Sequence, residues 1–177
     1  MKYDFTYYNP TKIHFGKNAL DNLKGELENY GESILLMYGK GSVKRSGLYD
    51  KVKEILDSCG KKTVELAGIK SNPSYTQLLE GAKLVRENDV DLILAVGGGS
   101  TIDTAKCIAI GVVNKGDVWE TYYEGNGMVT KALPVASILT IAAAGSEGSN
   151  GTVITYKGRK FATGSDALRP VLAVLNP

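Results

Sequence analysis

Polar and apolar positions fall into blocks whose lengths and periods predict alternating strands and helices. Ser33 to Gly39, "SILLMYG", is an apolar run stopped by glycine, the pattern of a buried strand. Leu48 to Gly60, "LYDKVKEILDSCG", is helix-periodic: Leu48, Val52, Ile55 and Leu56 share one face, and Gly60 is the C-terminal stop. "KTVELAG" predicts a second strand. In "NPSYTQLLEGAKLVREND", Ser74 and Gln77 have capping-box spacing, and Leu78, Ala82 and Val85 form an apolar stripe. "DLILAV" predicts a third strand, and Thr101 to Ile110 a third helix. The strands are apolar throughout. That alternation predicts an α/β fold, a Rossmann-like parallel sheet with helices on both faces. "PVASILT" (Pro134 to Thr140), "GTVIT" and "PVLAVLN" predict later strands. "NKGDVWETYYEGNGMVTKA" is the one long irregular stretch, a surface loop or a short helix around Trp119.

Gly97, Gly98 and Gly99 follow the third strand, and Ser100 opens the helix. A helix N-terminus offers unpaired N–H groups and a partial positive charge. Glycine removes the Cβ that would keep an anion away, so these four residues make a phosphate cradle. The plainer reading is a tight turn with Ser100 as N-cap, for which one glycine would serve. Asp103 lies three residues after Ser100, where an acid also stabilises a first turn. Lys106, taken alone, reads as a solvated helix residue. The Walker loop G-x-x-x-x-G-K-[ST] is absent. The dinucleotide fingerprint G-x-G-x-x-G fails because its sixth position from Gly97 is Ile102.

A second glycine turn follows the first strand. Gly39 and Gly41 flank Lys40, and Ser42, Lys44 and Arg45 follow. Alone it reads as a turn with solvated cations. Beside a phosphate cradle on the same sheet edge, its N–H groups, hydroxyl and three cations suit an adenosine 2′-phosphate. An unphosphorylated ribose would want an acid, and none follows Gly39 within the turn. A third cluster of small residues, "LTIAAAGSEGSNG" (Leu139 to Gly151), suits either a surface lying flat against a ligand or a packed turn.

Composition narrows the classes. The 177 residues suit one domain, with 43% apolar and 23% charged residues. A net charge of +2 with scattered lysines gives no case for nucleic acid. No run reaches transmembrane length and no apolar leader follows Met1, so a cytoplasmic protein without membrane partners is expected. Cys59 and Cys107 lie far apart and read as reduced thiols in helices.

With these clusters in order, the sequence resembles the iron-containing alcohol dehydrogenase family, in particular its NADPH-dependent butanol dehydrogenase branch. The family hallmark GGGS-x-x-D-x-x-K is kept from Gly97 to Lys106. "TKIHFG" is similar to the family's N-terminal hairpin, "SNP" at Asn72–Pro73 to its N-P turn, and "AGSE" (Ala144 to Glu147) to its T-G-S-E segment. "YGKGSVKRSGLYDKV" is similar to the branch's first turn. The resemblance implies a dehydroquinate synthase-like N-terminal domain over residues 1–177, with a dinucleotide along the strand ends. It places the pyrophosphate at Gly97, Gly98, Gly99 and Ser100, and Asp103 towards the nicotinamide. It places Thr140, Ala142 and Ala144 near the adenosine, and Asn72 and Lys160 near the cofactor. Gly39, where many NAD-using members carry an acid, favours NADP(H) together with Lys40, Gly41 and Ser42.

In the family a helical second domain supplies a divalent metal, iron or zinc, through one aspartate and three histidines. This chain has one histidine, His14, so the helical metal-binding domain is expected to lie outside it. The expectation is the cofactor half of an NADP(H)-dependent alcohol/aldehyde oxidoreductase, homodimeric as the complete protein and inactive as this chain alone. A free-standing nucleotide-binding module and a dehydroquinate synthase-like fragment are the alternatives.

Overall fold

The computed structural model describes residues 4–114, 116–125 and 127–177. Its strands are β1 (Lys12–Phe15), β2 (Ser33–Tyr38), β3 (Lys62–Leu66), β4 (Leu92–Gly97), β5 (Val135–Leu139), β6 (Gly151–Tyr156), β7 (Arg159–Gly164) and β8 (Leu172–Leu175). Six of them pair in parallel in the order β1–β8–β5–β4–β2–β3. β2 and β4 are buried at every position and sit side by side inside the sheet. Their continuous apolar runs demand cover on both faces.

The cover comes from helices α1 (Leu23–Leu27), α2 (Ser42–Arg45), α3 (Leu48–Ser58), α4 (Tyr75–Glu87) and α5 (Gly99–Val113). On one face Leu23, Leu27, Val52 and Leu56 pack on Ile34, Leu36, Leu92 and Leu94. On the other, Val85, Ile102, Ala105 and Ile108 pack on Leu35, Met37, Ile93 and Ala95. Alternate strand residues thus feed opposite cores. The Rossmann-like α/β fold expected from the sequence is the fold observed. Half of the expected capping box forms at α4: the Ser74 hydroxyl accepts from the Gln77 N–H at 3.4 Å, while the Gln77 amide, instead of reaching back to Ser74, bonds the Gly68 carbonyl and the Lys70 N–H. Gly60 ends α3 with φ +66°.

One expectation needs correction. Lys12–Phe15 is no hairpin; it lies parallel to β8 at the sheet edge, and His14 there contacts the Glu26 carboxylate at 2.9 Å. "GTVIT" is a strand as expected, within β6, which pairs antiparallel with β7 apart from the six-stranded sheet. This hairpin packs on α5 through Ile154, beside Cys107, Ile110 and Trp119. The stretch around Trp119 takes the second of its two expected forms, a short, wide helical turn over Trp119–Tyr123.

β2 leads through α2 and α3 to β3 on one side of the sheet, and β4 leads through α5 to β5 on the other. The carboxyl ends of β2 and β4 therefore mark the point where strand order reverses. Open α/β sheets bind their ligands in such a crevice.

Candidate functional site

Both glycine turns open onto that crevice. α5 begins on Gly98, which has φ −90° and ψ −170° and is itself the N-cap; Gly99 and Ser100 are already helical. Ser100 is therefore not the cap. Its hydroxyl instead accepts from the Asn72 N–H at 3.2 Å, docking the β3–α4 loop on the helix start. Asn72 takes φ +66°, a backbone state that asparagine tolerates better than most residues. The Gly99 and Ser100 N–H groups have no helical acceptor at the start of this fifteen-residue helix, whereas the Thr101 N–H donates to the Gly98 carbonyl at 3.0 Å. A Cβ on Gly98 would lie 2.8 Å from Ile141 Cγ2, and one on Gly99 3.3 Å from the Ser146 hydroxyl.

Asp103 is not in the first turn of α5, because the helix starts earlier than the apolar pattern suggested. Its Oδ2 accepts from the Val153 N–H of β6 at 3.3 Å. Its Oδ1 is buried and has no hydrogen-bond partner among the described residues. Burial raises the Asp103 pKa, against the lowering effects of the nearby Ser146 hydroxyl, Lys106, the Val153 N–H and Lys160. Lys106 is not solvated but fully buried. Its ammonium donates to the carbonyls of Ser146 and Ser149 at 2.8 Å and of Gly151 at 3.0 Å, and to the Ser149 hydroxyl at 3.2 Å.

The β2 turn forms the crevice's other wall. A space of about 450 Å³ is lined by Ser42, Val43, Ser46, Gly98, Thr140 and Ile141. A second of about 290 Å³ continues it past Ser46, Leu48, Lys51 and Thr140. The two glycine turns are brought side by side by the pairing of β2 with β4, and on the far side of β4 the Thr140 N–H, just past β5, donates to the Gly97 carbonyl at 3.1 Å. Gly39 stands at the end of β2, and a Cβ there would come no nearer than 3.9 Å to the Ile69 carbonyl. Lys40 is exposed. The three cations of this turn do not converge: Lys44 lies over the rings of Tyr38 and Tyr49, 5.2 and 4.5 Å from their centroids. Arg45 folds back beside Gly41. Both phenols donate to Glu65, at 2.6 and 2.7 Å, and burial and that carboxylate push the Tyr38 hydroxyl up to about 12.

Ala142 lines a shallow space with Phe15, Leu175 and Asn176 next to Thr140. Ala144 lines none of the spaces beside the two glycine turns; it is exposed just before Gly145, which turns with φ +74°. Lys160 is exposed on β7, close enough for its charge to act on Asp103.

These residues suit a nicotinamide dinucleotide. A helix start on glycines, with only the exposed Ile141 side chain over Gly98, suits a pyrophosphate, the paired spaces suit apolar and sugar groups, and the Asp103 oxygen that has no partner among the described residues suits a donor such as a carboxamide. They do not suit a divalent metal: among the described residues no three His, Cys, Asp or Glu side chains converge. Lys106 and Ser146 are the residues that sequence reasoning undervalued. The signal was present, since Ala105, Cys107, Ile108, Ala109 and Ile110 leave Lys106 on an almost wholly apolar helix. Such a lysine must be buried and paired.

A family model described as iron-containing alcohol dehydrogenase matches residues 10–177. The chain is 46% identical over 176 residues to the probable NADH-dependent butanol dehydrogenase 2 of Bacillus subtilis, covering 98% of this chain and 45% of the relative. It is 39% identical over 178 residues to the NADPH-dependent aldehyde reductase YqhD of Escherichia coli, covering 98% of this chain and 45% of the relative. The crystal structure of NADH-dependent butanol dehydrogenase A from Thermotoga maritima superposes with a TM-score of 0.91 at 35% identity, over 98% of this chain and 44% of that one. The chain thus spans less than half the length of the curated relatives it matches.

Proposed function

Since the chain belongs to the iron-containing alcohol dehydrogenase family, we propose that residues 1–177 are the dinucleotide-binding domain of an NADP(H)-dependent alcohol/aldehyde oxidoreductase. The observation that carries this is the Gly97–Gly99 turn at the α5 N-terminus, on the switch point of the sheet, with an Asp103 oxygen that has no partner among the described residues one turn further in. In this reading Gly97, Gly98, Gly99 and Ser100 hold the pyrophosphate. Asp103 accepts from the nicotinamide carboxamide, with Lys160 near it. Gly39, Lys40, Gly41 and Ser42 take the adenosine 2′-phosphate, Thr140, Ala142 and Ala144 border the adenosine, and Asn72 closes the helix start.

A bound nicotinamide supplies or accepts a hydride. The chain's own part is to hold it in one pose and keep one wall of the cleft dry. Polarising the substrate oxygen calls for a divalent cation, iron or zinc in the family, held by residues outside this set. The substrate is a small alcohol or aldehyde, and the complete protein is a cytoplasmic homodimer. Preference for NADP(H) rests on the missing acid at Gly39. Relatives divide on this point: the Bacillus subtilis protein is named NADH-dependent and the Escherichia coli protein NADPH-dependent.

The purified chain is expected to bind NADPH weakly and NADH more weakly, retain no stoichiometric iron or zinc, and turn over neither butanol nor butyraldehyde. Calorimetric titration, metal analysis and a nicotinamide absorbance assay check this. No binding of either dinucleotide would overturn the reading. Stoichiometric metal with turnover would show that the catalytic centre lies within these residues.

A further inference from the structure

The family hallmark ends in Lys106, yet this side chain has no exposed surface and so cannot reach a ligand directly. All its bonding goes to one segment. Three carbonyls and a hydroxyl between Ser146 and Gly151 surround the ammonium at 2.8 to 3.2 Å. That segment is the third small-residue cluster of the sequence, and its Ser146 hydroxyl is 3.3 Å from where a Gly99 Cβ would stand. The same hydroxyl acts on Asp103, and the Thr152 hydroxyl donates to the Asp103 carbonyl at 2.9 Å. The segment therefore forms the wall between the helix start and the free Asp103 oxygen.

We propose that Lys106 is a positioning residue for the dinucleotide: its ammonium fixes the Ser146–Gly151 segment so that the pyrophosphate and nicotinamide end of the cofactor meet a preformed wall. This rests on the dinucleotide reading above. It adds that the cofactor grip depends on the charge of a residue the cofactor never touches. A buried ammonium is held here by acceptors rather than by a close carboxylate pair.

Protonation is the lever. Burial depresses the Lys106 pKa from 10.5 to about 8. The titratable groups facing it are Asp103 and Cys107 on its own helix, Glu147 on the segment and Arg169 before β8. Of these the Cys107 thiol is pushed up to about 12 by its burial, out of the working range. A neutral amine has two donors and a lone pair, so at least one of the three carbonyls loses its partner. The effect on folding runs the other way. Between about 8 and 10.5 the unfolded chain keeps the proton and the folded chain does not, so this group makes stability rise with pH. A loss of affinity in that window is then not a loss of fold.

The test is calorimetric titration of the chain with NADPH and with NADH from about pH 7 to about pH 9.5, for the parent and Lys106→Met, with thermal unfolding followed in parallel. The parent's affinity should fall about tenfold as pH rises through the Lys106 titration, without a matching fall in melting temperature. Lys106→Met, where folded, should bind about tenfold more weakly at neutral pH and show no step. A flat parent profile, unchanged affinity in Lys106→Met, or a step that survives the substitution overturns the positioning role while leaving the dinucleotide reading intact. Should Lys106→Met fail to fold, the parent profile decides. Failure of the parent to bind either dinucleotide at any pH overturns both.

Discussion

The two glycine turns that meet at the crevice look alike in sequence and differ in what surrounds them. After β4, an added Cβ would lie 2.4 Å from the Thr101 hydroxyl at Gly97, 2.8 Å from Ile141 at Gly98 and 3.3 Å from Ser146 at Gly99. After β2, Gly39 has its nearest neighbour at 3.9 Å and Gly41 meets only the end of the Arg45 side chain at 3.1 Å. The β4 turn is closed by its own fold at Gly97 and hemmed at Gly99, and opens on the space of about 450 Å³ only at Gly98. The β2 turn has spare room. A turn pinned from several sides holds a fixed feature common to all dinucleotides, the pyrophosphate. A turn with space beside it can vary, and suits the part of the cofactor that differs between NAD and NADP.

That contrast can be broken most sharply at Gly98. Its φ of −90° is open to any residue, and Ile141, the side chain a Cβ would meet, is 64% exposed and free to move. Gly98→Val should therefore fold yet lose more than about a hundredfold in dinucleotide affinity, because the branched side chain fills the place of the pyrophosphate. Calorimetry beside circular dichroism checks it, and unchanged affinity would return the turn to a purely architectural role. A smaller effect is expected at Gly97. Gly97→Ala should cost about 1–3 kcal/mol of stability by denaturant unfolding, since the clash with Thr101 lies inside the helix start. A neutral result would mean that this turn has as much slack as the β2 turn. The smallest change is at Gly39. Gly39→Asp should fold normally and reverse the order of NADPH and NADH by about tenfold, as a carboxylate repels a 2′-phosphate and accepts from a ribose hydroxyl. Equal affinities in the parent would remove the basis for the comparison.

Much of this was legible in the chain because the signals are local. Apolar runs such as Ile34–Met37 and Leu92–Val96 are long enough to be strands and too apolar to face water. Ser74 sits at its cap because a hydroxyl three residues before an N–H needs no tertiary help. The glycine triplet marked the helix start for the same reason. What the chain alone left out was pairing. Lys12–Phe15 carries too little apolar surface to say which strand it lies beside. "GTVIT" has the composition of any strand, and only its register with Arg159–Gly164 makes it half of a hairpin.

The sequence by itself determined the parallel α/β sheet and the places where its turns must be small, because period, apolar runs and glycine act over a few residues. The tertiary structure alone decided what the polar residues do. Asp103 and Lys106 lie three apart on one helix and look like an acid and a base on a solvated face. Packing of the 146–153 segment against α5 leaves one oxygen of the first without a partner among the described residues and surrounds the second with carbonyls. Burial and bonding partners set a charged group's energy, and both come from segments some 40 or more residues away along the chain.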